Sequence, residues 1–133
     1  MNSRAKGKRG ELEAALLLRQ LGIPATRSAQ HSGASGLADL DTDDGVLWEV
    51  KLRERLEPYA FMAQAIRDAS RSNRVPAVLM RSNRREWLIV IEASRLPEFA
   101  RLMHGAIQAS TGTRAPVEEA SSPERSSVDE PEE

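Results

Sequence analysis

The stretch Asp44-Gly45-Val46-Leu47-Trp48-Glu49-Val50-Lys51-Leu52 constrains the fold of this chain more than any other. Asp-Gly is a strong hairpin-turn signal, and the residues after it are apolar and strand-forming. Side chains alternate across a strand, so Leu47, Glu49 and Lys51 share one face while Trp48, Val50 and Leu52 share the other. Residues two apart on one face are separated by about 6–7 Å, which puts the Lys51 ammonium within reach of the Glu49 carboxylate. The turn ties this strand to a preceding one, residues 37–41, and so makes Asp39 a neighbour of Glu49 across a hairpin.

The rest of the chain arranges itself around that hairpin. Residues 8–21 carry a helical stripe of Ala14, Leu17, Leu18 and Leu21 and stop at Gly22, a good left-handed residue after a helix. On that helix Glu11 falls at the edge of the apolar stripe and Glu13 on the opposite, water-facing side. Residues 23–27 read as a short strand, and the small polar residues from Ser28 to Gly36 as a loop. A second helix spans residues 58–73, with Pro58 in its first turn. Tyr59, Met62, Ala63, Ile66 and Ala69 form its expected buried face, and Gln64, Arg67, Arg71 and Arg74 its polar flank. Two strands follow at 75–80 and 86–91. Ser94 is placed to cap a last helix reaching to about Gln108. The order predicts an α/β sandwich around a mixed sheet, one domain over residues 1–110.

Charge is unevenly distributed. The net charge of −1 divides into +4 for residues 1–110 and −5 for residues 111–133, where Glu118, Glu119, Glu124, Asp129, Glu130, Glu132 and Glu133 face only Arg114 and Arg125. Ser, Pro, Glu and Thr dominate that last segment without periodicity, and it is expected to be a disordered acidic tail. Arginine outnumbers lysine in the basic part, which favours bidentate contact with phosphate. The chain has no cysteine, so disulfides, zinc–thiolate sites and thiol catalysis are excluded. No apolar run is long enough to span a bilayer, and no signal-peptide-like segment follows the basic N-terminus. A cytoplasmic protein without membrane contact is expected.

Two carboxylates and an ammonium at one spot suit a hard divalent cation and a phosphodiester. Carboxylate oxygens bind Mg²⁺, and lysine meets phosphate as a point charge. Phosphodiester hydrolysis requires charge neutralisation on the non-bridging oxygens, activation of a water and stabilisation of the leaving oxygen. Asp39 and Glu49 are the candidate metal ligands, Lys51 the candidate helper of the attacking water, and Glu11 the natural third acid. Asp39, Asp41 and Asp43 also imitate the start of an EF-hand loop. The sixth position there is Asp44 rather than glycine and the twelfth Val50 rather than glutamate, so that reading fails. Plainer roles stand beside these: Asp43 and Asp44 as a solvated turn, Glu49–Lys51 as a surface charge ladder, Glu11 as a helix N-terminal acid. Trp48 and Trp87 are expected in the core. His31 and His104 stand alone.

Taken together, Gly7-Lys8-Arg9-Gly10-Glu11, Gly22, Arg27-Ser28, Ala38-Asp39-Leu40, Glu49-Val50-Lys51, the Gln64 helix and Val75-Pro76 resemble the PD-(D/E)XK nuclease superfamily, in its Holliday junction resolvase-like branch. The resemblance spans residues 6–91. It departs from the family pattern at Ala38, where the signature has proline, and in the length of the loop 30–36. It implies a restriction-endonuclease-like α-β-β-β-α-β core with a mixed central sheet flanked by helices, here with an extra C-terminal helix and the tail. It also implies that Asp39, Glu49 and the Val50 backbone carbonyl hold Mg²⁺, with Mn²⁺ able to substitute. Glu11 would complete the site directly or through water, and Lys51 would be the catalytic lysine. Lys6, Lys8, Arg9, Arg27, Ser28, Gln64, Arg67 and Arg71 become candidates for contact with DNA. The implied substrate is branched DNA cut by a homodimer. A repair or restriction nuclease acting on linear or single-stranded DNA, and a non-catalytic DNA-binding accessory domain, are the alternatives.

Overall fold

The computed structural model describes residues 3–28 and 39–114. The elements in chain order are α1 (Ser3–Gln20), β1 (Ala25–Arg27), β2 (Leu40–Thr42), β3 (Val46–Leu52), α2 (Pro58–Ala69), β4 (Val75–Arg81), β5 (Leu88–Val90), a 3₁₀ turn (Ala93–Arg95) and α3 (Leu96–Arg114). This is the predicted order of helices and strands. Ala38, His31, the loop 30–36 and the tail from residue 115 lie outside the described residues.

The central sheet is mixed and ordered β3-β4-β5. Strands β3 and β4 run parallel with Val46 opposite Val75 and Leu52 opposite Arg81; β4 and β5 run antiparallel through Val78–Val90 and Met80–Leu88. A parallel pair needs a crossover between its strands, and α2 supplies it. Helices then cover both faces, which explains why β3 is buried at every position although its sequence alternates apolar and charged. One face of β3 and β4, with Val46, Trp48, Val50, Ala77 and Leu79, packs on Ala14, Ala15 and Leu18 of α1 and on Phe99 and Leu102 of α3. The opposite face of β4, Val78 and Met80, packs on Met62 and Ala65 of α2, and Leu47 on Ala69. Glu49 and Lys51 belong to this second face and are buried under α2.

Close approach of α1 to β3 depends on Gly10. A Cβ there would stand 3.0 Å from the Leu52 Cβ, so any side chain would require helix or strand to give by a few tenths of an ångström. The turn before β3 has Gly45 at φ +81°, the left-handed conformation that the Asp-Gly signal predicted.

Several expectations are corrected. Strands β2 and β3 do not form a hairpin ladder. β2 pairs antiparallel with β1 through Thr26–Asp41 and Arg27–Leu40, and it meets β3 mainly through one backbone bond, Asp39 N–H to the Trp48 carbonyl (3.2 Å). The buried face of α2 is Met62, Ala65 and Ala69, not the predicted set; Tyr59, Ala63 and Ile66 are exposed. The apolar residues of this helix extend around more than one face, and the sheet selects Ala65, whose small side chain permits the closest contact. α1 begins earlier than expected, and Leu21 is half exposed beyond its last turn, although Gly22 follows it at φ +97° as predicted. Glu13 lies on the more exposed side as expected, but it is not free in water: its carboxylate accepts from Arg81 Nη2 (2.6 Å) and pairs with Arg9 (3.6 Å). Ser94 lies inside the 3₁₀ turn rather than capping a helix, and α3 continues past Gln108 to Arg114.

Candidate active site

Asp39 stands where three strands meet. Its carbonyl accepts the Ser28 N–H just after β1 (3.1 Å), its own N–H donates to Trp48, and its Oδ2 accepts the Val50 N–H of β3 (2.8 Å). These bonds run along the edge of β3 that β4 leaves open. N–H and C=O of one residue point to the same side of a strand, so the Val50 carbonyl lies on the Asp39 edge as well. Ser28 is buried beside it.

Glu49, one residue before Val50, is 2% exposed. Its Oε2 lies 3.2 Å from Lys51 Nζ, which also donates to Gln64 Oε1 of α2 (2.9 Å) and sits 5.6 Å from the centre of the Phe61 ring. The ammonium is thereby fixed by one face of β3 below and one turn of α2 above. Burial pushes the Glu49 carboxyl up from 4.5 to about 7; the Asp39 charge adds to the rise, Lys51 opposes it through charge and hydrogen bonding, and Asp68 adds a smaller push. The effect of Asp39 on Glu49 shows that the two carboxylates are electrostatic neighbours, with Lys51 beside Glu49. A divalent cation suits such a pair of carboxylates, and the donors are hard oxygens. Asp39, Glu49 and the Val50 carbonyl are the atoms that could hold it.

Glu11 is paired with Arg27. Its Oε1 accepts from Arg27 Nε at 2.7 Å, and Arg27 lies next to Ser28, the residue that binds the Asp39 backbone. Among the described residues no three His, Asp or Glu side chains gather closely enough to enclose a metal ion. The link from Glu11 to the site runs through Arg27 and β1.

The expected nucleic-acid contacts divide into two groups. Arg27, Ser28 and Gln64 are drawn into the bonds around Asp39, Glu11 and Lys51. Lys6, Lys8 and Arg9 lie on α1, and Arg67 and Arg71 are exposed on and just after α2. Sequence reasoning missed Phe61, which shares a helix face with Gln64 three residues on and could have been found from that spacing. It also misread Asp44, which is buried rather than solvated. Asp44 Oδ1 accepts from Val46 N (3.0 Å) and Thr42 Oγ1 (2.7 Å), and Oδ2 from the Trp48 indole (3.0 Å). An aspartate two residues before a strand is a known signal for this side-chain-to-backbone turn.

No helix among the described residues is long and apolar enough to cross a membrane. No curated protein matches the sequence. Among solved structures, the fold is similar to that of Hjc from Archaeoglobus fulgidus, a Holliday junction resolvase from an archaeal hyperthermophile, with a TM-score of 0.50 and 23% identity over 65% of this chain and 72% of that one. Residues 2–113 match the family described as phage putative PDDEXK endonuclease. With nearly the whole described fold inside that match, the chain belongs to the phage putative PDDEXK endonuclease family.

Proposed function

We propose that the protein is a Mg²⁺-dependent endodeoxyribonuclease that hydrolyses DNA phosphodiesters, acting on branched DNA as a homodimer in the cytoplasm. The observation that carries the reading is the electrostatic coupling of two buried carboxylates, Asp39 and Glu49, with the Lys51 ammonium 3.2 Å from Glu49. Asp39, Glu49 and the Val50 carbonyl would hold the metal. Bound there, Mg²⁺ would neutralise charge on the scissile phosphate and acidify an attacking water; Mn²⁺ has the same ligand preference and is expected to substitute.

The protein's own groups have distinct tasks. Lys51 orients the attacking water and meets negative charge as it develops on phosphate. Gln64 and Phe61 hold that ammonium in place. Glu11 keeps Arg27 extended along β1, from where Arg27 and the neighbouring Ser28 can approach the DNA backbone. Lys6, Lys8, Arg9, Arg67 and Arg71 are the remaining candidate phosphate contacts. The fold shared with a resolvase supports a branched substrate, and two-fold junctions suit two-fold proteins.

The test compares a four-way junction, a matched linear duplex and a single strand, each with Mg²⁺, Mn²⁺ or EDTA. The expected result is metal-dependent cutting of the junction by the wild type and none by Glu49→Ala. Cutting that survives Glu49→Ala would refute the site. Equal cutting of junction and linear DNA would leave a general nuclease of repair or restriction type. Tight binding without cutting would point to an accessory domain, a reading that the complete set of Asp39, Glu49 and Lys51 disfavours.

A further inference from the structure

The turn after β4 stands at the same end of the sheet as the candidate active site. Strands β3 and β4 are parallel with Lys51 opposite Met80 and Leu52 opposite Arg81, and the Arg53 N–H donates to the Arg81 carbonyl (3.1 Å). Both strands therefore end together, just past Lys51, and β4 continues into Ser82-Asn83-Arg84-Arg85. This turn is braced. The Ser82 carbonyl accepts the Arg85 N–H (3.1 Å) and Arg81 Nη1 (3.2 Å), while the Arg81 guanidinium bonds to Glu13 (2.6 Å) and lies 5.3 Å from the centre of the Trp87 ring. At the tip Arg84 has φ +63°, and among the described residues no other side-chain-bearing residue has a positive φ. Glycine takes the left-handed conformation freely and asparagine more readily than arginine, so local folding does not explain an arginine there. Backbone strain of this kind gathers at functional sites. Arg84 and Arg85 are both exposed, and neither belongs to an ion pair among the described residues.

We propose that Arg84 and Arg85 form a substrate-contacting turn that holds the DNA backbone two to four nucleotides from the phosphate cut at Asp39 and Glu49. At about 3.3 Å per residue, Ser82 lies about 7 Å and Arg84 at most about 13 Å beyond Met80, the neighbour of Lys51. A DNA strand carries one phosphate per about 3.4 Å of helix axis, so that span corresponds to two to four nucleotides. Guanidinium groups meet phosphate bidentately, and a turn already fixed by Arg81 and Ser82 presents two of them with little further ordering. The inference rests on the nuclease reading and adds to it an element outside α1, α2 and β1, with a stated distance from the cut.

The test measures binding of a fluorescent DNA junction to the full chain in EDTA, where no cutting occurs, across a range of salt concentrations. Arg84→Asn and Arg85→Ala are each expected to weaken binding several-fold and to lower the slope of log K against log salt by about one, as loss of one phosphate contact does. Arg84→Asn should also melt at or above the wild-type temperature, because asparagine relieves the left-handed strain; a purely structural arginine would not lose affinity while keeping stability. Arg85→Lys should keep the slope. Arg101→Ala removes an equal charge from the exposed side of α3 and should leave the affinity within about twofold. Neutral methylphosphonates placed two to four nucleotides from the cleavage site mapped with Mg²⁺ should weaken wild type and leave the double variant Arg84→Asn, Arg85→Ala unmoved. Melting curves establish that each variant is folded; an unfolded Arg85→Ala would leave Arg84→Asn to decide. Wild type that cuts, with unchanged affinity and slope in the folded variants or an equal loss in Arg101→Ala, would overturn the turn contact alone. Wild type that neither binds nor cuts DNA would overturn the nuclease reading and the turn contact with it.

Discussion

The Asp39 carboxylate accepts the backbone N–H of Val50 at 2.8 Å. One oxygen of a proposed metal ligand is thus also the clamp that joins the segment before β2 to the open edge of β3. Structure and chemistry depend on the same side chain, and they can be separated by substitution. Asp39→Asn keeps an oxygen acceptor for Val50 and removes the charge. It should melt within a few degrees of wild type in EDTA, because the net value of such a hydrogen bond is only about 1 kcal/mol. Titration calorimetry should show Mg²⁺ or Mn²⁺ binding lost, and nuclease assays should show no cutting. Asp39→Ala should lose stability as well, because it leaves a buried N–H without a partner. Metal binding by Asp39→Asn equal to that of wild type would refute the ligand assignment.

Gln64 is argued to act through Lys51. Its Oε1 accepts from the ammonium at 2.9 Å, and Glu49 lies 3.2 Å from the same ammonium. Gln64→Leu keeps the packing volume and removes the acceptor, leaving Lys51 free to swing toward Glu49 or solvent. Misplacing a catalytic group by about 1 Å can cost roughly a hundredfold, so kcat should fall about ten- to a hundredfold with KM for DNA little changed. A variant that raised KM and spared kcat would make Gln64 a DNA contact instead.

Much of this site was legible in the sequence, for reasons that differ by residue. Alternation alone put Glu49 and Lys51 on one face, and the pair is formed. The Asp-Gly signal placed the turn at Gly45. What the sequence could not convey was pairing: nothing local says that β2 bonds to β1 while β3 turns its other edge to β4. Burial of Glu49 follows from that non-local fact, because only a parallel pair covered by helices on both faces hides a charged face. Glu11 was correctly separated from Glu13 by helical phase, yet its partner Arg27 is 16 positions away, beyond the reach of any periodicity. The face of α2 was misassigned for the same reason, since the sheet decided which apolar residues to accept.

The raised Glu49 carboxyl predicts a pH dependence of stability. Its folded value is about 7 against an ordinary 4.5, so between these limits the folded chain holds a proton that the unfolded chain releases. Stability from this group is therefore highest at and below pH 4.5, falls as pH rises through the window, and is fully lost above about 7. In EDTA, the melting temperature of Glu49→Gln relative to wild type should rise from pH 5 to about pH 7 and level off above it. Adding Mg²⁺ at pH 8 should stabilise wild type and leave Glu49→Gln unmoved, because the cation offsets the repulsion with Asp39. Parallel pH profiles for the two proteins would show that Glu49 is not perturbed in this way.

Asp44 tests the part of the architecture that the sequence concealed. It is 7% exposed, and its carboxylate accepts from two buried donors, the Val46 N–H and the Trp48 indole, besides the Thr42 hydroxyl. Trp48 is wholly buried, with its ring edge-on to Phe99 of α3 at 6.0 Å. The bond to Asp44 therefore sets the orientation of the largest core side chain as well as the entry into β3. Each buried donor left unpaired costs about 1–3 kcal/mol, so Asp44→Ala should lose roughly 3 kcal/mol in urea denaturation. Asp44→Asn keeps a carbonyl acceptor for one of the two donors, and should lose less. Neither variant removes a group from the candidate active site, so metal binding should persist wherever the chain is folded. If Asp44→Ala unfolds at the wild-type urea concentration, Asp44 is a solvated turn residue after all and the entry to β3 is fixed by Gly45 alone.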